Sequence, residues 1–236
     1  MDVLRISAKD LGALKLDGFC PRCFWIERHM KLPYQSPFPG IFSSIDSYTK
    51  KMVRLHLERT GKLPAWLTGI GRISGTVDKP DAFFAERNGV RLTGSPDEMF
   101  RTPKGELIIV DYKTARYTGN QDALMPMYEV QLNGYAYIAE KTGLGSSSGL
   151  HLVYFEPPDE GFEELERKYV DSEGFGMPFK PTLHRIAKDT KGIEALMDKA
   201  RLIYGSAKPP NGVEGCEDCR RLDELAKESK NWMGLV

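Results

Sequence analysis

Asp97, Asp111 and Lys113 are the residues of this sequence whose types and spacing best suit them to act together. Asp97 opens one short apolar run and Asp111 closes the next, with Thr102–Pro103–Lys104–Gly105 as a turn between them. Paired as a hairpin, the two runs bring both carboxylates to the same end of a sheet. Strand side chains alternate, so Asp111 and Lys113 point the same way. Tyr112 points the other way and leaves its carbonyl near the Asp111 side. Two carboxylates and a carbonyl are hard oxygen ligands, suited to Mg²⁺ or Mn²⁺. Such an ion lowers the pKa of its water and neutralises charge on a scissile phosphate. The Lys113 ammonium can orient the attacking water or stabilise the pentavalent phosphorane. The chemistry that fits is phosphodiester hydrolysis.

The elements that must position this trio are legible in outline. Residues 7–31 read as helical, with Ser7 as a cap and with Gly18 and Pro21 interrupting the run. The three prolines of 32–40 mark a loop. A helix is expected over 43–60, with Ile45, Tyr48, Met52 and Leu55 as one apolar stripe and Gly61 as its stop. No element is assigned over 63–80. Four short strands follow within 82–114, with Asn88–Gly89 as a hairpin turn between the first two. Leu107–Val110 is apolar at four consecutive positions, as in a strand buried on both faces. A helix over 121–141, a strand over 149–155, an acidic surface excursion over 157–177, a strand near 179–186 and a helix near 190–205 complete the pattern. The order points to a mixed α/β domain. Glu98 follows Asp97 but points to the opposite face of a regular strand, where it reads as a solvated carboxylate.

The chain has 236 residues, 41% of them hydrophobic, enough for one full domain with a real core. Its 33 basic and 33 acidic side chains cancel, which argues against coating nucleic acid by bulk charge. Basic residues still cluster at Arg22, Arg28, His29 and Lys31, and at Lys50, Lys51, Arg54, Arg59 and Lys62. No apolar run approaches the ~20 residues of a membrane span, and the N-terminus lacks a signal-peptide pattern. The expectation is a cytoplasmic protein with no membrane partner.

The four cysteines form two pairs of identical spacing, Cys20/Cys23 and Cys216/Cys219. In a reducing compartment such a set reads as a four-thiolate metal site before it reads as disulfides. By count it fits tetrahedral zinc or a 4Fe–4S cluster equally, and spacing alone favours zinc.

Gly94–Ser–Pro–Asp97, then Leu107–Thr114 with its Asp111–Tyr–Lys113, then Gln131–Leu–Asn–Gly–Tyr135 resemble the motifs of the PD-(D/E)XK nuclease superfamily. The likeness is greatest to its RecB-like branch and to the CRISPR-associated iron–sulfur nucleases, and covers roughly residues 43–155. It implies a restriction-endonuclease-like core, a central mixed sheet flanked by helices, in a single domain spanning 1–236. Residues 1–42 and 190–236 would then form a cysteine-clamped helical appendage. It also implies a DNA nuclease acting on single strands or ends, with Asp97 and Asp111 as metal ligands and Lys113 as the catalytic lysine. Gln131 and Tyr135, one helical turn apart, would place the DNA strand or the active-site water. A further ligand is expected on the helix before the sheet, where this sequence departs from the family's usual pattern. Asp46 is the favoured candidate and His56 the other. The iron–sulfur relatives hold a cluster between cysteines on either side of the core, which tilts the four-cysteine site toward 4Fe–4S, although they divide their ligands one and three rather than two and two. The alternative function is a catalytically inactive nucleic-acid-binding or scaffold module that keeps the fold.

Overall fold

Short apolar runs broken by turns build two small sheets around one long buried helix. The computed structural model describes residues 2–30, 40–117, 123–158 and 161–232. In chain order come β1 (Leu4–Ser7), α1 (Ala8–Gly12), α2 (Pro21–His29), α3 (Gly40–Thr60), β2 (Gly75–Thr76), β3 (Phe84–Arg87) and β4 (Val90–Thr93). Then follow β5 (Glu98–Arg101), β6 (Leu107–Lys113), α4 (Met125–Lys141), β7 (Ser147–Glu156), α5 (Phe162–Tyr169), β8 (Lys180–Ile186), α6 (Lys191–Tyr204) and α7 (Glu217–Trp232). One sheet has the order β1-β4-β3 and the other β2-β5-β6-β7-β8. In the larger sheet β5 and β6 are antiparallel, and β6 and β7 are parallel, joined by the α4 crossover. This is the nuclease-like α/β arrangement that the sequence implied. No helix among the described residues is long and apolar enough to cross a membrane.

The β3–β4 hairpin turns at Asn88 and Gly89, both at positive φ (48° and 73°), as a tight two-residue turn requires. It pairs with β1 rather than with β5, so the strands of 82–114 divide between two sheets.

Strand β6 is buried on both faces, and its alternation sets the site. Leu107 and Ile109 face the core that holds α4, while Ile108, Val110 and Tyr112 face a second core with Val53 of α3, Leu67 and Ile70. Asp111 and Lys113 continue the first face and therefore look toward α4.

Several expectations need correction. The helical span 7–31 divides into two helices across the interruption at Gly18 and Pro21: Ser7 caps α1, its Oγ accepting the Asp10 N–H at 3.0 Å, and Pro21 starts α2. Leu4, Ile6, Ala8, Leu11 and Leu14 pack into the main core, as do Ile193, Leu196 and Met197 of α6. The main hydrophobic core thus draws on residues before 43 and after 155 as well. On α3 the stripe of Tyr48, Met52 and Leu55 is exposed, and the buried face is carried by Val53 with Leu57 beside it. The excursion after 157 contains the exposed helix α5. Residue 31, all of the proline loop except Gly40, the start of the helix expected from 121, and residues 159–160 lie outside the described residues.

Candidate functional site

Register places the two aspartates. Glu98 lies opposite Val110 in the β5–β6 pair, so the next step along sets Asp97 opposite Asp111. Asp97 accepts the backbone N–H of Tyr112 at 2.7 Å, which fixes its carboxylate beside the end of β6. Asp111 is 3% exposed at the point where the apolar strand ends.

Around Asp111 the side chains interlock. The Lys113 ammonium lies 2.6 Å from Asp111 Oδ2 and donates to Gln131 Oε1 at 3.0 Å. It also sits 4.5 Å from the centre of the Tyr128 ring. Gln131 Nε2 donates to Asp111 Oδ1 at 3.3 Å and to the Tyr135 hydroxyl at 2.7 Å. One amide on α4 thus touches the carboxylate, the lysine and the tyrosine. Burial pushes the Asp111 carboxyl up to about 6; the Lys113 ammonium pulls the other way, and the Asp97 charge adds to the rise. Burial likewise raises the Tyr135 phenol, with the Asp111 charge adding to it. Tyr112 points away, as expected, and packs edge-on against Phe155.

Gly94 has a steric reason to be glycine. A Cβ there would lie 2.8 Å from the Tyr135 ring, 2.9 Å from Phe83 and 3.0 Å from Ile138. The motif Gly94–Ser–Pro–Asp97 therefore does two jobs. It seats Tyr135 against the backbone and delivers Asp97 to the strand end.

Asp46 comes to this cluster through Lys50, whose ammonium lies 2.6 Å from Asp46 and 2.8 Å from Asp97. Burial works against the charged Lys50, but hydrogen bonds and charge from Asp46 and Asp97 prevail and raise its pKa. His56 is exposed, ten residues further along α3, or about 15 Å at ~1.5 Å per residue. The structure does not bring it to the carboxylates. Glu98 is not solvated but 2% exposed, and Arg54 Nε donates to it at 2.9 Å. Burial still lifts its pKa against the pull of Arg54. Lys50 and the Arg54–Glu98 pair lay outside the expected site. The signal for them is the four-residue spacing of Asp46, Lys50 and Arg54 along one face of α3.

The second centre joins the chain ends. Cys20, Cys23, Cys216 and Cys219 are free thiols whose sulfurs all lie within 4.8 Å of one another. It is the one such gathering of three or more potential ligands among the described residues, so Asp46, Asp97 and Asp111 do not converge to that degree. Burial raises the Cys23 thiol, and its hydrogen bonds to Cys219 and Cys216 add to the rise. Burial also opposes the Cys20 thiolate, yet the backbone N–H groups of Cys23 and Val213 help hold Cys20 at about 6. Beside the cysteines Arg22 makes a two-point pair with Asp223, at 2.9 and 2.5 Å, tying α2 to α7.

A search of curated proteins gave no match. A solved structure described as "Crystal structure of SSO0001" is 12% identical, covering 86% of this chain and 78% of its own, with a TM-score of 0.40. A likeness of that grade bears on neither fold detail nor chemistry. The family model of the PD-(D/E)XK nuclease superfamily, in contrast, matches residues 31–222, a span that holds the paired strands, Asp97, Asp111, Lys113 and α4. By that match the chain belongs to the PD-(D/E)XK nuclease superfamily.

Proposed function

We propose that this chain hydrolyses phosphodiester bonds of DNA, on single strands or at ends, using Mg²⁺ or Mn²⁺ held by Asp97, Asp111 and the Tyr112 carbonyl. The observation that carries the reading is the register of β5 and β6, which sets two aspartates opposite each other beside a half-buried lysine. The donor chemistry fits a hard cation. Asp111 Oδ2 is buried, and no hydrogen bond reaches it in good geometry despite the nearby ammonium of Lys113. The bound ion would supply Lewis acidity and charge neutralisation at the scissile phosphate.

The remaining roles belong to the chain's own side chains. Lys113, held by Gln131, would present its ammonium to the attacking water and to charge developing on phosphorus. Gln131, itself anchored on Tyr135, fixes both Lys113 and Asp111 in place before substrate arrives. Asp46 would act at longer range through Lys50, which can exchange its contact with Asp97 for one with a DNA phosphate. The RecB-like reading draws its support from the Gln131–Tyr135 pair being wired to the carboxylate end. The buried Asp111 carboxylate held 2.6 Å from the half-buried Lys113 ammonium supports catalysis over a scaffold that has lost it.

The test is a Mg²⁺- and Mn²⁺-dependent assay on end-labelled single-stranded and duplex DNA, linear and circular. Cleavage is expected with the wild type and absent in Asp111→Ala and Lys113→Ala. Full activity in both variants would refute the site. An inactive wild type with every substrate and either metal would favour the scaffold. Cleavage of circles would rule out dependence on ends.

A further inference from the structure

The cysteine centre can be judged by the spacing of its sulfurs. Cys20 Sγ lies 3.5 Å from Cys219 Sγ, and Cys23 Sγ lies 3.6 Å from Cys216 and 3.4 Å from Cys219. No pair is separated by more than 4.8 Å. Disulfide sulfurs stand only about 2.05 Å apart, so these are not bonded pairs. A tetrahedral zinc with Zn–S bonds of ~2.3 Å sets its sulfurs ~3.8 Å apart. A 4Fe–4S cluster binds each thiolate through a different iron, on the outside of a cube of iron and sulfide, which sets the thiolates on the order of 6 Å apart. The sulfurs of this chain are spaced for one ion and crowd out a cube.

The surrounding backbone holds that spacing. Both pairs are built alike. Cys20 precedes α2 and its carbonyl accepts the Phe24 N–H at 3.0 Å; Cys216 precedes α7 and its carbonyl accepts the Arg220 N–H at 3.1 Å. Each pair thus occupies the cap and third position of a helix, and two helix N-termini, favourable places for negative charge, converge on the four thiolates. Opening the site by about 2 Å would move α2 against α7. Phe24 anchors α2 in the main core, and the Arg22–Asp223 pair ties the two helices together. Gly212 closes another side, since even a methyl group there would come within 2.9 Å of Cys219 Sγ.

We infer that Cys20, Cys23, Cys216 and Cys219 hold a single tetrahedral zinc ion, and that the site does not fit the iron–sulfur cluster implied by the family resemblance. The ion has no redox role. It fastens the α2 cap to the α7 cap across 193 to 199 residues of chain, so it acts on stability.

The test uses the full chain, produced with iron and zinc both supplied, purified without oxygen, and then incubated with ferrous iron and sulfide. About one zinc per chain, four sulfurs at ~2.3 Å by zinc-edge X-ray absorption and a colourless protein are expected, before and after incubation. A brown protein with about four irons and four sulfides per chain would overturn the proposal. One iron without sulfide in place of zinc would overturn it as well. Cys216→Ser should lose the zinc and melt at lower temperature. If that variant does not fold, the metal content of the wild type still decides. Metal content is read independently of DNA cleavage, so failure here and failure of the nuclease reading are separable.

Discussion

The Lys50 ammonium lies 2.8 Å from the Asp97 carboxylate, bridging from α3 to the strand end. It also lies 2.6 Å from Asp46 on its own helix. A cation therefore already stands where charge compensation is needed between two acidic side chains. In the metal-free protein Lys50 stabilises the facing carboxylates, and if Asp97 binds the ion as proposed, Lys50 competes for it. Lys50→Met should tighten Mn²⁺ binding several-fold by calorimetric titration while weakening the affinity for DNA. Unchanged Mn²⁺ affinity would mean that Lys50 and the ion do not share Asp97.

Asp111 carries a desolvation cost that its amide would not. It is almost fully buried and its carboxyl is raised to about 6, so the ionised form is held at neutral pH against burial. Asp111→Asn keeps the shape and removes the charge. Metal-free, this variant should be at least as stable as the wild type by urea denaturation, yet cleave DNA at least 10²-fold more slowly, roughly the scale of losing one preorganised electrostatic group. A large loss of stability would instead identify Asp111 as a structural partner of Lys113.

The same raised carboxyl sets a pH dependence. Its folded pKa, about 6, lies above the ordinary value of 3.8, so the native state holds this proton more tightly than the unfolded chain. The stabilisation from that proton is complete at low pH and is lost as pH rises from about 4 through about 6. If Asp111 binds the ion as proposed, the metal must displace the same proton. Apparent Mn²⁺ affinity should therefore climb between pH 5 and about 6.5 and then level, with close to one proton released per ion at the acid end. Titration in buffers of different ionisation enthalpy reads that proton directly, and a flat profile would remove Asp111 from the ligand set.

The trio and its supports were readable because local rules agree there. An apolar strand that ends in Asp111–Tyr–Lys113 fixes which side chains share a face, and the four-residue step from Gln131 to Tyr135 fixes their common helix side. Less legible were the features set by distant packing. The exposed stripe of Tyr48, Met52 and Leu55 has helical periodicity, but periodicity alone does not say which side of α3 meets the sheet; Val53 does. Glu98 read as solvated because its partner, Arg54, is 44 residues away in sequence. The short N-terminal strand β1 pairs with β4 across more than 80 residues, and nothing local marks Leu4–Ser7 as an edge partner of that hairpin.

That buried carboxylate gives a stability prediction of its own. Glu98 is almost fully covered, and Arg54, whose side chain is 47% exposed, supplies its hydrogen-bonding partner. Arg54→Ala leaves the carboxylate buried without that partner, which costs roughly 1–3 kcal/mol once the exposure of the arginine is allowed for. Replacing both residues, with Glu98→Gln added, should recover part of the loss, because the stranded charge disappears. Urea denaturation of the two single variants and the double variant forms the cycle. Additive losses would show that the pair is not coupled.

Gly94 links fold to chemistry through Tyr135. In Gly94→Ala the new methyl group meets the Tyr135 ring at 2.8 Å, with Phe83 and Ile138 closing the other sides, so the ring must shift. Overpacking of this kind costs roughly 1–3 kcal/mol. Displacing Tyr135 also moves the hydroxyl that anchors Gln131, and with it the contacts to Asp111 and Lys113. Tyr135→Phe removes only the hydroxyl, at a cost of about 1 kcal/mol, and leaves the ring in place. Both variants should lower kcat, but only Gly94→Ala should also lower the denaturation midpoint strongly. If Tyr135→Phe cleaves DNA at the wild-type rate, the Gln131–Tyr135 bond is not part of the working site, and the effect of Gly94→Ala is one of packing alone.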